Sequence, residues 1–349
     1  QNNVQGASDA GLIPMFLPDY QPVGRTDLRQ PFEKLWHQDL DPVRGLTVVE
    51  IMNAIHAGEI NGMYIEGENP AMSDPDLQHA RGALAMLDHL VVQDLFVTET
   101  AFHADVILPA SAFAEKSGTF TNTERRVQRV RQAIKPVGES KEDWIIICEL
   151  AKKMGASGFD FQSPKAVMEE INKLTPSYGG ITYERLDELG SLQWPCPTAD
   201  HPGTPYLHKG KFTRGMGKFF ALEFKEANEL PNDEYPFTLT TGRLMFHFHT
   251  GSMTRRSEKL DSEVPEAYVE INVKDAEKIG LNGHKRVRVT SRRGQIDLAV
   301  RKTDDIKRGV VFIPFHFAEA AANTLTNPAI DPVAKIPEYK VCAVKVEVL

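Results

Sequence analysis

The 349-residue sequence predicts a parallel-sheet α/β fold followed by a C-terminal β-barrel. Two observations predict this order. Between residues 46 and 108, helix and strand patterns alternate along the chain, which is typical of a parallel sheet with right-handed crossovers. From Tyr235 onward, several short strand patterns follow one another with one small helix pattern among them. That texture favours a compact barrel of about 110 residues.

The α/β portion is predicted from apolar periodicity and from turn residues. Its first helix ends at Gly58 and places four apolar residues on one face: Val48, Ile51, Met52 and Ile55. The later elements are a strand over 62–65, a helix over 75–88, a strand over 89–92, a short helix over 98–104 and a strand over 105–108. Ligands of parallel sheets bind at the carboxyl ends of the strands, which here are residues 67–70, 93–94 and 109–111.

The middle of the chain gives a mixed pattern. A helix is expected over residues 143–154, whereas residues 157–218 are rich in Gly, Pro and Tyr and are interpreted as loops. The barrel strands are expected at 237–240, 267–272, 287–289, 296–298, 309–313 and 341–348, with a small helix at 273–279. We therefore expect three parts, which cover residues 1–113, 114–220 and 235–349.

Composition excludes several classes of protein. A formal charge of −8 argues against a nucleic-acid partner, so an anionic cofactor would need local donors. No apolar run approaches 18 residues, so no membrane span is expected. The three cysteines, Cys148, Cys196 and Cys342, form no CxxC pair, so they cannot supply an iron–sulfur cluster, and they fit a reducing compartment. The start, QNNVQGASDAGLIPMF, does not read as a signal peptide and suggests a cut or processed end.

Polar residues follow the predicted strands of the α/β portion. Gly67, Glu68 and Asn69 come after one strand, and Gln93 and Asp94 end the next. Such residues bind ribose hydroxyls or the amino edge of guanine, but an ordinary turn or a helix cap explains them equally well. The amide-rich residues 1–6 read first as a polar turn, and the hydroxyl- and Arg-rich residues 119–126 as a surface loop.

The segment over residues 241–253 is the most informative. His247 and His249 alternate, so an extended chain would place them on one face. No third or fourth ligand lies at zinc spacing, and no metal site is predicted. Arg243 suits a phosphate, which leaves an anion site and a solvated strand as equal alternatives. Two further loops, over 322–327 and 334–340, carry amides and cations where binding residues concentrate.

In this order the segments resemble the formate dehydrogenase branch of the molybdopterin oxidoreductase (DMSO reductase) superfamily, over nearly the whole chain. The matching segments are QNNVQGA (1–7), GENP (67–70), VVQDLFVTETAFHADVILPA (91–110), GTFTNTERRVQR (118–129), TGR (241–243), HFHTGSM (247–253), VEINVKDAEKIG (269–280), VRVTSRRGQI (287–296) and AANTLTNPAIDPVAKIPEYKVCAVKVE (321–347). The first and the last indicate formate dehydrogenases rather than nitrate or sulfoxide reductases. The resemblance implies a Rossmann-like α/β portion and a double-psi type of barrel.

The resemblance also implies a cofactor and its contacts. Members of the family hold two molybdopterin guanine dinucleotides on one Mo or W, near a [4Fe-4S] cluster. The cluster cysteines, the Cys or selenocysteine metal ligand and an active-site Arg would lie before Gln1, and Gln1 itself beside the metal centre. The strand-end residues Gly67, Glu68, Asn69, Gln93 and Asp94 would contact a guanosine diphosphate arm. The positions that match the clasp of the dinucleotide are Arg243, Leu244, His247, His249, Asn323 and Lys340, with Asn122 and Arg125 as further candidates. Where the family sometimes has Tyr, this sequence has Phe315, which puts a hydroxyl contact in doubt.

The implied reaction is the oxidation of formate to CO2, with electrons leaving through iron–sulfur clusters. The implied partners are an N-terminal half with the cluster and the metal ligand, and iron–sulfur and flavin- or NAD-binding subunits. The segment GLIPMFLPDYQPV resembles the NAD-linked, cytoplasmic subtype. Two alternatives stay open: another enzyme on the same scaffold, such as an assimilatory nitrate reductase, and a paralogue subunit without cofactor.

Overall fold

The structure is a computed structural model and describes residues 3–349. The α-helices are α1 (Val4–Asp9), α2 (Thr26–Trp36), α3 (Val48–His56), α4 (Pro70–Ser73), α5 (Leu77–Met86), α6 (Asp143–Lys153), α7 (Pro164–Leu174), α8 (Tyr183–Leu189), α9 (Glu258–Glu263) and α10 (Val273–Lys278). The strands are β1 (Phe16–Leu17), β2 (Gln21–Pro22), β3 (Gly62–Glu66), β4 (His89–Asp94), β5 (Val106–Pro109), β6 (Gly118–Thr121), β7 (Arg126–Val130), β8 (Ser191–Gln193), β9 (Phe237–Gly242), β10 (Tyr268–Asn272), β11 (Arg286–Thr290), β12 (Gln295–Thr303), β13 (Val310–Pro314) and β14 (Cys342–Val348).

The chain forms two compact units, and each unit is built from two separate segments. The first unit combines the chain up to Leu46 with Pro109–Leu222, and the second combines Thr47–Leu108 with Glu223–Leu349. The sequence also predicts domain boundaries near residues 113 and 220, and this division into domains stays a prediction. Among residues 3–349, no helix is both long and apolar enough to cross a membrane.

A parallel sheet opens the second unit. Its strand order is β3-β4-β5, and the register places Glu66 beside Gln93 at the carboxyl end of the sheet. The first turn of α3 is fixed because Thr47 N–H donates to Glu50 Oε2 at 2.9 Å. The core of this region is apolar and fully buried: Met52, Ile55, Leu84, Leu90 and Val92. Burying each of these large side chains stabilises the fold by about 1.5–3 kcal/mol.

A closed barrel of six strands completes the second unit, in the order β10-β12-β11-β14-β9-β13. The pairs β10–β12 and β9–β13 are parallel, and the other neighbours are antiparallel. Side chains alternate along β9, so Phe237, Leu239 and Thr241 are buried while the residues between them are half-buried. The barrel core consists mainly of branched residues: Val269, Ile271, Val287, Val289, Leu298, Val311 and Ile313.

The first unit holds an antiparallel sheet in the order β6-β7-β8. Helices α7 and α8 contribute Met168 and Leu186 to a buried cluster with Val127 and Leu192 of this sheet. The expectation of loops throughout residues 157–218 is therefore wrong. Both helices have capping residues that the sequence displays, because the side chain of Ser163 accepts from Ala166 N–H and that of Thr182 from Arg185 N–H.

The predicted order of folds, a parallel α/β region followed by a barrel, is confirmed. The barrel strands and α10 begin within one residue of their expected places. Their ends lie within two residues of the expected ones, except that β12 continues to Thr303, five residues beyond its expected end. The short helix expected over 98–104 is a single 3-10 turn, Ala101–His103. Asn69 Oδ1 accepts from the backbone N–H and the hydroxyl of Thr100, which ties this chain to the turn after β3.

Candidate functional site

A cavity of about 890 Å³ lies within the second unit, at the upper end of the range for ligand pockets. Its polar walls come from the turn after β3, from the end of α4 and from loops of the barrel. The polar lining residues include Glu66, Glu68, Ser73, Asp74, Thr241, Arg243, His249, Thr250, Asn323, Lys335, Tyr339 and Lys340. A second cavity, of about 920 Å³, lies in the first unit, and its walls are mainly aromatic and aliphatic. Converging charged groups favour the first cavity as the functional site.

The sheet edge positions one wall of this cavity. Gln93 is fully buried and contacts side chains of β3, since its amide accepts from Tyr64 Oη and donates to Glu66 Oε1 at 3.2 Å. Gly67 follows with φ of +63°, a left-handed conformation that glycine adopts without strain, and its N–H donates to Gln93 O at 2.9 Å. This turn places Glu68 at the cavity wall.

Two other strand-end residues hydrogen-bond to the protein. Asn69 is 6 % exposed; besides accepting from Thr100, its amide donates to Glu99 Oε2 at 2.7 Å and to Ser252 Oγ at 3.2 Å. Asp94 Oδ1 accepts from Leu95 N–H at 2.6 Å. Of the five predicted strand-end residues, Glu68 lines the cavity directly. The other four surround the turn that carries it.

A buried carboxylate with one unpaired oxygen forms the acidic wall. Asp74 is 4 % exposed, lines the cavity, and its Oδ2 is buried with no hydrogen bond. Burial, and then the charge of Glu68, raise the pKa of Asp74 to about 7. Burial, followed by the charge of Asp94, also raises the pKa of Glu68. Two such carboxyls can accept hydrogen bonds from a ring edge that is rich in N–H groups.

Positively charged side chains form another wall of the cavity. Arg243 and Lys340 lie near the ring of Phe315, each 5.9 Å from its centroid. Lys340 is held by a hydrogen bond to Thr241 O, and burial and Arg243 lower its pKa. Burial and Arg243 likewise lower the pKa of His249, which favours a neutral imidazole. These donors suit a phosphate or diphosphate group.

Asn323 and Leu244 are two further barrel residues that the sequence singled out. Asn323 lines the cavity, and its Nδ2 donates to Met72 O at 3.0 Å and Ser73 O at 3.1 Å, which holds the chain before Asp74. Leu244 packs against the barrel core.

The two histidines do not share a face, so the expectation of an extended strand there is wrong. His247 Nε2 lies 2.9 Å from Val264 O in the interior, whereas His249 lines the cavity. The chain turns between them, and His249 has a φ of +47°. Their roles toward a cofactor stay predictions.

Asn122 and Arg125 belong to the first unit. Asn122 Oδ1 accepts from Glu124 N–H at 3.1 Å and from Arg126 N–H at 2.9 Å. Arg125 donates to three backbone carbonyls: Trp194, Thr204 and Pro205. They hold a turn in that unit, and their cofactor role stays a prediction. Gln1 lies outside the described residues.

Sequence reasoning missed Asp74, and it named the loop over residues 334–340 without singling out Lys335 or Tyr339. Tyr339 Oη donates to Ser73 O at 2.9 Å, next to Asp74, and burial raises its pKa. Lys335 adds a third cation to the lining and lies 3.9 Å from Glu50. Their positions in the sequence could have indicated these residues, because each lies within six residues of a residue that the sequence singled out.

Two known protein families match parts of this chain. The family described as Molybdopterin oxidoreductase matches residues 2–153, and the Molydopterin dinucleotide binding domain matches residues 237–343. The second match contains Arg243, His249, Asn323 and Lys340.

Named relatives match nearly all of the chain. It is 52 % identical over 350 residues to the F420-dependent formate dehydrogenase subunit alpha of Methanocaldococcus jannaschii, and 50 % identical over 351 residues to the F420-dependent formate dehydrogenase 1 subunit alpha of Methanococcus maripaludis. In each case the alignment covers 99 % of this chain and 51 % of the relative, so the chain spans about half the length of these relatives.

A solved structure shares the fold. Acetylene hydratase from Pelobacter acetylenicus matches with a TM-score of 0.68 and 16 % identity, over 93 % of this chain and 50 % of that one. At this identity the match concerns the fold alone.

Proposed function

The chain belongs to the molybdopterin oxidoreductase family, and on that premise we propose that it forms part of a molybdenum- or tungsten-dependent formate dehydrogenase and holds a molybdopterin guanine dinucleotide. The observation that carries the proposal is the cavity of the second unit, which combines a buried carboxylate that has one unpaired oxygen with a group of cations. A nucleotide with an anionic diphosphate and an N–H-rich base is complementary to both walls.

The residues fit this cofactor by their chemistry. Asp74 Oδ2 is an orphaned buried acceptor, and leaving such a group unpaired costs about 1–3 kcal/mol. Amino and imino groups of a guanine or a pterin would supply the missing donors. Arg243 and Lys340 would bind the diphosphate, with Lys335 nearby.

The protein part of the mechanism is binding and orientation. When bound, the cofactor supplies the two-electron chemistry that converts formate to CO2. Asn323 and Tyr339 hold the chain around Ser73, so that the Asp74 carboxyl keeps its direction. His249, with its lowered pKa, adds a neutral hydrogen-bonding group rather than a further positive charge. We place Gln1 beside the metal centre on the basis of the family resemblance alone.

The proposed assembly is larger than this chain. A second part of the enzyme would bring the metal ligand and a [4Fe-4S] cluster, and electron-transfer subunits would accept the electrons. F420, which the names of the two relatives contain, is the acceptor to test first, ahead of the NAD expected from the sequence. A cytoplasmic location is proposed because Cys148, Cys196 and Cys342 are all free thiols.

The test is a cofactor analysis of the native enzyme that contains this chain. We expect Mo or W by mass spectrometry, guanosine monophosphate after acid hydrolysis, and formate oxidation rather than nitrate reduction. Reduction of nitrate would indicate the other enzyme class. Absence of both metals and of the nucleotide would indicate a subunit without cofactor.

A variant links the cofactor to the cavity. Arg243→Ala should lower the nucleotide content roughly tenfold, because a charge-assisted hydrogen bond is worth about 1.5–3 kcal/mol. Arg286→Ala, at an exposed position of β11, is the matched control and should load normally. Full loading of Arg243→Ala would place the dinucleotide elsewhere.

A further inference from the structure

We infer that His316 is a positioning residue, which holds the segment from Gly242 to Gly251 in the shape that presents Arg243 and His249 to the cavity. His316 is itself absent from the cavity lining, and it is 1 % exposed. This inference rests on the proposed function, since it explains how the barrel shapes the predicted clasp of the dinucleotide.

Two hydrogen bonds connect the His316 ring to this segment. Leu244 N–H donates to Nε2 at 2.8 Å, and Nδ1 lies within hydrogen-bonding distance of His249 O. The two backbone groups are five residues apart, so the single ring bridges the base of the segment. Leu244 directly follows Arg243, so one of these hydrogen bonds fixes the backbone next to Arg243. The other fixes the backbone of His249 itself.

The partners determine the proton position on the ring. Leu244 N–H can only donate, so Nε2 must be the acceptor, and His249 O can only accept, so Nδ1 must carry the proton. The ring is therefore a neutral imidazole. A protonated ring would direct a second N–H at Leu244 N–H and lose that hydrogen bond. Burial, with His247, Arg243 and His249 as nearby positive or titratable groups, lowers the pKa of His316 to about 4, in agreement with this geometry.

The backbone of the segment requires an external support. His249 has a φ of +47°, which is uncommon for a residue other than glycine, and its carbonyl is the one that His316 binds. Gly251 has a φ of +77°, and a Cβ there would lie 2.6 Å from His316 O. The chain thus returns directly over His316, whose ring also packs 5.5 Å from the His247 ring.

A residue that only fills space would behave differently, and two variants separate these roles. His316→Leu keeps apolar volume but loses both bonds, whereas the amide of His316→Gln offers one acceptor and one donor. The control is His284→Leu, which changes an exposed histidine at the end of the barrel. All three are made in the native enzyme that contains this chain.

The first readout is amide hydrogen exchange over residues 243–251, which needs no cofactor. We expect exchange in His316→Leu to be at least about tenfold faster than in the wild type, with Gln restoring most of the protection. The second readout is guanosine monophosphate per polypeptide after extensive dialysis. We expect it to fall in His316→Leu and to stay near wild type in the Gln and control variants.

The two readouts separate failure of this inference from failure of the proposed function. Unchanged exchange in His316→Leu overturns the inference, and so does equal loss of protection in the Leu and Gln variants. If the wild type carries no dinucleotide, the proposed function fails. Faster exchange confined to the Leu variant would then still support the role of His316 in shaping the segment.

Discussion

Replacing Asp74 by Asn tests the acidic wall through stability. The pKa of this carboxyl rises from an ordinary 3.8 to about 7 in the folded chain, first because of burial and then because of Glu68. Between these values the folded state keeps a proton that the unfolded state has lost, so the free energy of unfolding falls as pH rises. At about 1.4 kcal/mol per pH unit, the full loss above pH 7 is roughly 4 kcal/mol.

The assay is thermal unfolding of the enzyme prepared without cofactor, at pH 5 and pH 8. Over this interval the Asp74 contribution is about 3 kcal/mol, which corresponds to roughly 6–12 °C in the melting temperature of the second unit. Asp74→Asn should remove that difference, since the amide does not titrate. Glu59→Gln, an exposed position in the same unit, should leave it in place.

Equal pH dependence in the wild type and in Asp74→Asn would refute the reasoning, because it would show that Asp74 keeps its charge at little cost. A bound cofactor adds a second check. Donors from the base would stabilise the carboxylate, so the loaded enzyme should lose less stability between pH 5 and pH 8 than the empty one.

The other predictions concern the scaffold, and denaturant unfolding measures each of them. Gly67→Val should lower the free energy of unfolding by about 1–2 kcal/mol, because φ is +63° and a β-branched residue is strained there, while no atom lies within 4 Å of an added Cβ. Gly67→Asn should lower it less, since Asn adopts positive φ more readily. Equal losses for the two variants would indicate a steric clash instead of backbone strain. Leu239→Ala in the barrel core should cost about 2–5 kcal/mol, whereas Thr238→Ala on the half-buried side of β9 should cost under about 1 kcal/mol. Similar values for these two would contradict the assigned core face.

Periodicity predicted the fold well where one face of an element is buried and the other is not. The residues of β9 alternate between buried and half-buried positions, and α3 buries a stripe that includes Met52 and Ile55. Helix α6 is different, because Ile145, Ile146 and Ile147 are consecutive. Its length was predicted, yet Ile146 and Cys148 are buried, while Ile147 is 39 % and Leu150 37 % exposed. The buried face of α6 depends on the elements that pack against the helix, and the local sequence does not identify those elements.

The site was predicted in part for a similar reason. The rule for strand ends located Glu68, and the family resemblance located Arg243 and Lys340. Asp74 escaped notice because Ser-Asp-Pro-Asp reads as an ordinary helix start, and Asp76 does accept from His79 N–H there. Its importance comes from a missing hydrogen bond in the interior. Local sequence contains no signal for such an absence.

The division of the second unit into two segments has a consequence for synthesis of the chain. Asp74 lies in the first segment and Lys340 in the second, 266 residues later (340 − 74), with Pro109–Leu222 of the other unit made in between. At about 5–20 residues per second, the ribosome makes the acidic wall roughly 13–53 s before the last cation. During that interval the β3–β4–β5 sheet exists without its barrel. If the dinucleotide binds between these two walls, as proposed, its insertion there follows translation of the barrel.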